Sequence, residues 1–364
     1  MKRFSLLLIL CILGGQTAWA ARAKVDKIAQ DPYASALVID ADTGEVLFDD
    51  NAGKIVYPAS VLKLMDLFII LEHLEQGKLK PGDMVQISKE AARMGGSQVY
   101  LDPKEQFTVE ELMYALAVQS ANDAAVALAI HVAGSTEGFI ALMNRRAEEL
   151  GMKDTQFNSV HGLPPAKGQK PDKTTARDLA ILSRELAKRS DIFEYTGARE
   201  RPFREGKFIM RNHNHLLGTV DGCDGFKTGY FQAAGFSIVA TAKRGDVRIV
   251  TIVMGSKDRK TRDVKASELL AKGFAQVFAR PKVAVAVSQP ESVPGKTEVA
   301  APAYPPAPDP FQATEEQPEM TPSPGNSWRM FFLGMLAGLG LSGVLAVYVS
   351  KKRSRRPAHF RSYR

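Results

Sequence analysis

The sequence has little cysteine and, over residues 4–350, almost no net charge. Two cysteines in 364 residues exclude a small fold held together by several disulfides. The formal net charge of +8 arises mainly at the two ends, from Lys2 and Arg3 and from seven basic residues in 351–364. Residues 4–350 are therefore close to neutral, which argues against a nucleic-acid partner. The length and the ordinary content of apolar residues allow one or two globular domains.

The first apolar run follows Lys2 and Arg3. It covers residues 4–13, and Ala18-Trp19-Ala20 then offers small residues where a signal peptidase cleaves. We interpret residues 1–20 as a signal peptide that is cleaved on export, with an uncleaved anchor as the alternative. After cleavage Cys223 is the one remaining cysteine, so the mature chain cannot form an internal disulfide.

A second apolar run lies near the C-terminus. Residues 330–349 contain no charged side chain and are long enough, at ~1.5 Å per residue, to cross a hydrocarbon layer of ~30 Å. The basic residues after this run place its C-terminal side in the cytoplasm under the positive-inside rule. The sequence therefore predicts a transmembrane helix over 328–350 and a basic cytoplasmic tail over 351–364.

Residues 283–327 differ in composition from the rest. They contain ten prolines and six acidic residues but only one basic residue, Lys296. Such a segment cannot bury enough apolar surface to fold, so we interpret it as an extended acidic linker. The remaining residues, 25–282, form one predicted exported domain.

Alternating and helical patterns predict the elements of this domain. Residues 36–40 and 45–49 flank Asp42-Thr43-Gly44 as a hairpin, and 236–242 and 247–254 form a second hairpin. Helical spacing predicts the following helices: 60–76, 109–132, 137–150, 175–188 and 262–278. Strands at both ends with helices between them indicate an α+β fold in which the terminal strands share one sheet.

Three short motifs carry candidate chemistry. In the first, Ser60 begins a helix and Lys63 follows one turn later on the same face. The lysine can reach the hydroxyl, and it can act as a base if burial or a neighbouring positive charge lowers its pKa. Taken alone, the pair is weak evidence, and a helix cap with a surface lysine explains it better.

The second and third motifs are also weak in isolation. Ser120 and Asn122 follow an apolar helix and provide a proton-relay hydroxyl and a carboxamide, but such residues also simply end helices. Lys227, Thr228 and Gly229 precede strand-like residues. On an edge strand they would offer a cation, a hydroxyl and an unobstructed backbone to an extended peptide with a free carboxylate.

Together and in this order, the three motifs are far more specific. The sequence resembles the low-molecular-mass penicillin-binding proteins, the serine-type D-alanyl-D-alanine carboxypeptidases, over about residues 30–280. The resemblance implies a β-lactamase/transpeptidase-like domain with an antiparallel sheet flanked by helices. It also implies a peptidoglycan stem peptide ending in D-Ala-D-Ala as substrate, β-lactams as inhibitors, and no metal or other cofactor.

The resemblance further implies a role for each motif residue. Ser60 would attack the carbonyl between the two D-alanines, Lys63 would take its proton, and Ser120 would relay a proton to the leaving amine. Asn122 would hold the substrate amide.

On the third motif, Lys227 and Thr228 would bind the terminal carboxylate beside the backbone of Gly229. The charge of Lys227 would also help to keep Lys63 neutral. The backbone N–H groups of Ser60 and Tyr230 would form the oxyanion hole.

Three alternatives remain open. A peptidoglycan DD-endopeptidase would use the same chemistry on a crosslinked substrate. A class A-like β-lactamase would need an added glutamate for deacylation, and no matching segment lies between Ser120 and Lys227. The third alternative is an inactive cell-wall anchor. With the topology signals, the resemblance predicts a single-pass protein of the bacterial inner membrane whose catalytic domain lies outside the cytoplasm.

Overall fold

The computed structural model describes residues 22–23 and 25–280. The predicted signal peptide, acidic linker, transmembrane helix and cytoplasmic tail all lie outside these residues. Within them, no single helix is long and apolar enough to cross a membrane; the adjoining helices Asn122–Ala133 and Thr136–Leu150 meet that requirement only together, across a bend of 83°.

The domain contains nine strands and eight α-helices within the described residues. The strands are β1 (Ser35–Asp40), β2 (Val46–Asp50), β3 (Met84–Gln86), β4 (Gln106–Thr108), β5 (Glu200–Phe203), β6 (Phe208–Arg211), β7 (Cys223–Phe231), β8 (Gly235–Arg244) and β9 (Val247–Ser256). The helices are α1 (Lys63–Glu75), α2 (Lys89–Ala92), α3 (Val109–Ala117), α4 (Asn122–Ala133), α5 (Thr136–Leu150), α6 (Ala176–Ala187), α7 (Ile192–Thr196) and α8 (Arg259–Phe278). A 3₁₀ turn, Ala59–Leu62, precedes α1.

Five strands form the main sheet in the order β2-β1-β9-β8-β7. Every neighbouring pair is antiparallel, so both predicted hairpins are confirmed, as is the sharing of one sheet by strands from both ends of the domain. β7, which carries the third motif, lies at an edge of the sheet, the position that peptide binding by this motif requires.

The sheet is buried on both faces, and its residues alternate between two apolar clusters. Leu37 and Ile39 of β1 belong to the larger cluster with α1, α3 and α4, whereas Ala36 and Val38 pack with α8. This alternation follows from the two-residue period of a strand. The result is an α+β sandwich in which the helical layer lies next to the edge strand that carries the third motif.

Two of the predicted helices differ from the prediction. The first begins as the 3₁₀ turn and becomes α-helical at Lys63. The single helix predicted over 109–132 is wrong, because the chain forms α3 and α4 with a break between them. Ser120 lies in this break with φ of +59°, a left-handed conformation that an α-helix cannot contain. The break places Ser120 and the first residue of α4, Asn122, next to α1.

Candidate active site

The 3₁₀ turn that carries Ser60 packs directly against the edge strand β7. A Cβ atom added to Gly229 would lie 2.6 Å from the carbonyl oxygen of Pro58 and 3.0 Å from the backbone nitrogen of Ser60. No side chain larger than that of glycine fits this approach. The structure thus brings the first and third motifs together through backbone contact.

The conformation before Ser60 is strained and supported from one side. Ala59 has φ of +47°, which is uncommon for a residue with a Cβ atom. Gly162 lies against it, because a Cβ at this glycine would be 2.2 Å from the carbonyl oxygen of Ala59. The loop that contains Gly162 therefore fixes the turn that presents Ser60.

Lys63 connects all parts of the helical side of the site. Its Nζ atom donates to Ser60 Oγ at 3.1 Å, to Asn122 Oδ1 at 2.8 Å and to the carbonyl oxygen of His161 at 2.7 Å. The side chain is fully buried. Burial is the main reason that the pKa of Lys63 falls to about 8, so the neutral form that a base requires is accessible near neutral pH.

Asn122 and Ser120 are both buried beside Lys63. Asn122 uses its amide oxygen to accept from Lys63 and its Nδ2 atom to donate to the carbonyl oxygen of Gly95. Its backbone N–H donates to the carbonyl oxygen of Ser97. Asn122 therefore ties the loop over 95–97 to the lysine, and the second motif is part of the same site.

Lys227 and Thr228 are buried on β7. The Nζ atom of Lys227 donates one hydrogen bond, of 3.3 Å, to the carbonyl oxygen of Thr228. Burial lowers the pKa of Lys227 well below its usual range, and the charges of Lys63 and Arg262 lower it further. Burial, rather than Lys227, is the first cause of the lowered pKa of Lys63, and the repulsion between the two lysines that the sequence argument invoked lowers the pKa of Lys227.

Two buried aspartates lie near Lys63. Asp172 accepts from the backbone N–H groups of Asn158 and Ser159 and from Ser159 Oγ, which orders the loop before Gly162. Asp66 is one turn beyond Lys63, and neither of its carboxylate oxygens has a hydrogen-bond partner in the described part of the chain. Burial raises the pKa of Asp66 well above its usual value, whereas its negative charge raises the pKa of Lys63.

These residues surround a cleft of about 350 Å³. Of the eight predicted site residues, Ser60, Ser120, Asn122, Thr228, Gly229 and Tyr230 line it, and Lys63 and Lys227 lie buried behind its walls. The ring of Tyr230 stacks on Phe236 with centroids 4.1 Å apart and is 53% exposed. The site thus contains a hydroxyl bonded to a lysine, a carboxamide, and an edge strand able to pair with an extended ligand.

Sequence reasoning missed four basic residues that also line the cleft. They are His213, His215, Arg259 and Arg262. Their positions outside the three motifs gave no signal, although Arg262 begins the last predicted helix. Between residues 22 and 280 as described, no group of three or more histidine, cysteine, aspartate or glutamate side chains could hold a metal ion.

Comparison with known proteins agrees with this geometry. The family model described as D-alanyl-D-alanine carboxypeptidase matches residues 21–258. The D-alanyl-D-alanine carboxypeptidase DacF of Bacillus subtilis is 38% identical over 288 residues, 77% of this chain and 73% of its own. DacA of Escherichia coli is 35% identical over 285 residues, 75% of this chain and 70% of its own.

Solved structures give the same result. Penicillin-binding protein D2 of Listeria monocytogenes in its ampicillin-bound form superposes with a TM-score of 0.61 and 30% identity, covering 70% of this chain and all of that one. Penicillin-binding protein 6B of Escherichia coli gives a TM-score of 0.62 and 29% identity over 71% of this chain and 80% of that one. The chain belongs to the S11 peptidase family of D-alanyl-D-alanine carboxypeptidases and has the penicillin-binding-protein fold.

Proposed function

We propose that Ser60 is the nucleophile with which this carboxypeptidase removes the terminal D-alanine from a peptidoglycan pentapeptide. One observation carries the proposal: Ser60 Oγ lies 3.1 Å from the Nζ atom of a fully buried lysine whose pKa is lowered to about 8. A nucleophilic hydroxyl needs an adjacent base that is neutral near working pH, and this pair meets both conditions.

Acylation follows from the hydrogen bonds around Lys63. Lys63 takes the proton of Ser60 as Oγ attacks the carbonyl carbon of the penultimate D-alanine. The C–N bond then breaks, and Ser120 relays a proton to the leaving amine, so that D-alanine departs and an ester to Ser60 remains. Asn122 holds the substrate amide beside the lysine. Water hydrolyses the ester and restores Ser60.

The edge strand binds the leaving residue. Lys227 and Thr228 hold the terminal carboxylate, and the backbone N–H groups of Ser60 and Tyr230 stabilise the oxyanion, each donor contributing about 3–4 kcal/mol to the transition state. Gly229 supports this arrangement because its lack of a side chain lets β7 approach Ser60. β-Lactams form the same kind of ester with Ser60, which explains inhibition by this class of compound.

The cellular setting is part of the proposal. Export by the signal over 1–20, the linker over 283–327 and a membrane helix over 328–350 would hold the catalytic domain outside the cytoplasm. The two apolar runs and the basic tail support this arrangement. In intact spheroplasts, an added protease should digest the domain and leave an epitope within 351–364 protected; digestion of that epitope would contradict the topology.

The decisive test is release of D-alanine from a pentapeptide ending in D-Ala-D-Ala, using the detergent-solubilised chain. Ser60→Ala should abolish release and labelling by a fluorescent penicillin, whereas Ser190→Ala, an exposed serine away from the cleft, should leave both intact. Undiminished release by Ser60→Ala would refute the assignment.

Two further measurements separate the alternatives. Cleavage of a crosslinked muropeptide in the same assay would add endopeptidase activity, which uses the same groups. A penicillin adduct that turns over within seconds would favour the β-lactamase alternative.

A further inference from the structure

The leaving-residue side of the cleft is bordered by the first turn of α8. Arg259 and Arg262 of this turn line the cleft together with His213, His215 and the ring of Phe236. The described residues that line the cleft include no aspartate or glutamate. This side of the cleft therefore carries two arginines beyond the two lysines that the reaction uses, whereas burial lowers the pKa of His213 to about 4 and leaves that ring neutral.

Arg262 is already committed to protein partners. It is buried, its Nη1 atom donates to the carbonyl oxygen of Ser237, and its Nε and Nη2 atoms both donate to Asp263 Oδ1. His215 lies 3.8 Å from the other oxygen of Asp263. Asp263 thus offsets the charge of Arg262 and faces His215.

Arg259 differs from Arg262 in both respects. It is exposed, and among the described residues it makes no hydrogen bond or ion pair. The adjacent carboxylate, Asp258, caps α8 by accepting from the backbone N–H and the hydroxyl of Thr261. The guanidinium of Arg259 therefore faces the cleft with its charge uncompensated.

Arg259 lines the same cleft as Thr228, the residue to which the terminal carboxylate is assigned. Arg262, one turn further along α8, is near enough to Lys227 for its charge to lower the pKa of that lysine. Tyr230 and Phe236, which also line the cleft, are paired with each other across β7 and β8. Tyr230 is three residues from Lys227 along β7. With the terminal carboxylate at Lys227 and Thr228, α8 borders the part of the cleft open to a C-terminal side chain longer than methyl.

We propose that Arg259 forms a second anion subsite, which binds a side-chain carboxylate on the C-terminal residue of the substrate. The proposal rests on the placement of the terminal carboxylate at Lys227 and Thr228. A substrate ending in D-Ala-D-Glu would place its α-carboxylate on the strand and its side-chain carboxylate on Arg259. A substrate ending in D-Ala-D-Gln has the same size and lacks only the second charge.

The test compares three peptides that differ only in the last residue, D-Ala, D-Glu or D-Gln, on the full detergent-solubilised chain. We expect kcat/KM for the D-Glu peptide to exceed that for the D-Gln peptide about three- to fivefold, the range of an exposed ion pair. In Arg259→Gln this ratio should fall to about one, with D-Ala-D-Ala hydrolysis unchanged. Lys260→Gln, which removes the neighbouring charge on α8 away from the cleft lining, should keep the ratio.

Salt gives an independent readout, because an exposed pair is screened: the D-Glu preference of the wild-type chain should shrink at high ionic strength. If neither longer peptide is hydrolysed at a measurable rate, the ratio of their affinities can be measured instead from their competition with fluorescent penicillin for Ser60. Equal ratios in the wild type and Arg259→Gln, or no preference for D-Glu in either assay, would overturn the subsite. Failure of the wild-type chain to hydrolyse the D-Ala-D-Ala peptide would instead count against the proposed function.

Discussion

The two walls of the cleft are built in opposite ways. On the helical wall, formed by the 3₁₀ turn, α1 and the start of α4, one ammonium group donates three hydrogen bonds of 2.7–3.1 Å. On the strand wall, formed by β7, the other ammonium donates a single bond of 3.3 Å to the next carbonyl. Both lysines are buried, so burial alone does not distinguish them.

The difference shows which wall is complete before substrate binds. The Nζ atom of Lys63 lies within hydrogen-bonding distance of three oxygen atoms and holds Ser60 and Asn122 in place. The neutral amine keeps two donors and accepts from Ser60 Oγ, which is the preorganisation that proton transfer requires. Lys227 has donor capacity left for a ligand, and a buried cation with one weak acceptor gains strongly from a carboxylate. The helical wall therefore carries out proton transfer, and the strand wall binds the substrate carboxylate.

Replacing Lys63 should have the largest effect and tests the helical wall directly. In Lys63→Arg the positive charge stays but the base is lost, because a guanidinium does not give up its proton. We expect D-alanine release and penicillin acylation both to fall by about 10²–10⁴. Stopped-flow acylation with fluorescent penicillin measures this. Near-normal acylation by Lys63→Arg would show that the base lies elsewhere.

Replacing Lys227 should have an intermediate effect of a different kind. Lys227→Gln removes the cation that we assign to the terminal carboxylate, so KM should rise about 10- to 100-fold, the range of a hydrogen bond to a charged group. The first-order acylation step at saturation should change much less. Lys243→Gln, an exposed lysine on β8, is the matched control. If Lys227→Gln lowered kcat with KM unchanged, the two walls would not divide the work as proposed.

Much of this comparison was predictable from sequence. The hairpins follow from alternation and turn residues, and the convergence of Ser60, Ser120 and Lys227 follows from a resemblance that covers the domain. The break before Asn122 was not predicted, because the apolar pattern of 109–132 continues through it. The left-handed backbone conformation of Ser120 does not change the spacing of the apolar residues around it, so the sequence pattern does not reveal the break.

Burial and electrostatics were the other features that sequence could not supply. Residues Lys63–Leu71 of α1 are all buried, so this part of the helix has no solvent face for a charged residue to occupy. Asp66 interrupts an apolar run and therefore looks like a surface position. Whether such a carboxylate is buried depends on packing from α3, α4 and α6, which local pattern does not record.

Asp66 provides the smallest and most specific prediction. Its negative charge raises the pKa of Lys63, and it belongs to the helical wall without touching the cleft lining. Asp66→Asn keeps the shape and removes the charge, so Lys63 should lose its proton at lower pH. Because Lys63 acts only when neutral, the acid limb of the pH profile of kcat/KM should move to lower pH while the plateau changes little.

The KM of Asp66→Asn tests whether the charge on the helical wall affects binding at the strand wall. Asp66 does not figure among the groups that shift the pKa of Lys227, so the KM for D-Ala-D-Ala at the plateau should stay constant in Asp66→Asn. Asp154→Asn, at an exposed aspartate, should move neither quantity. An acid limb that did not move in Asp66→Asn would mean that this carboxyl group is protonated in the working enzyme and acts by packing. A change in KM would mean that the charge of the helical wall also governs recognition by the strand.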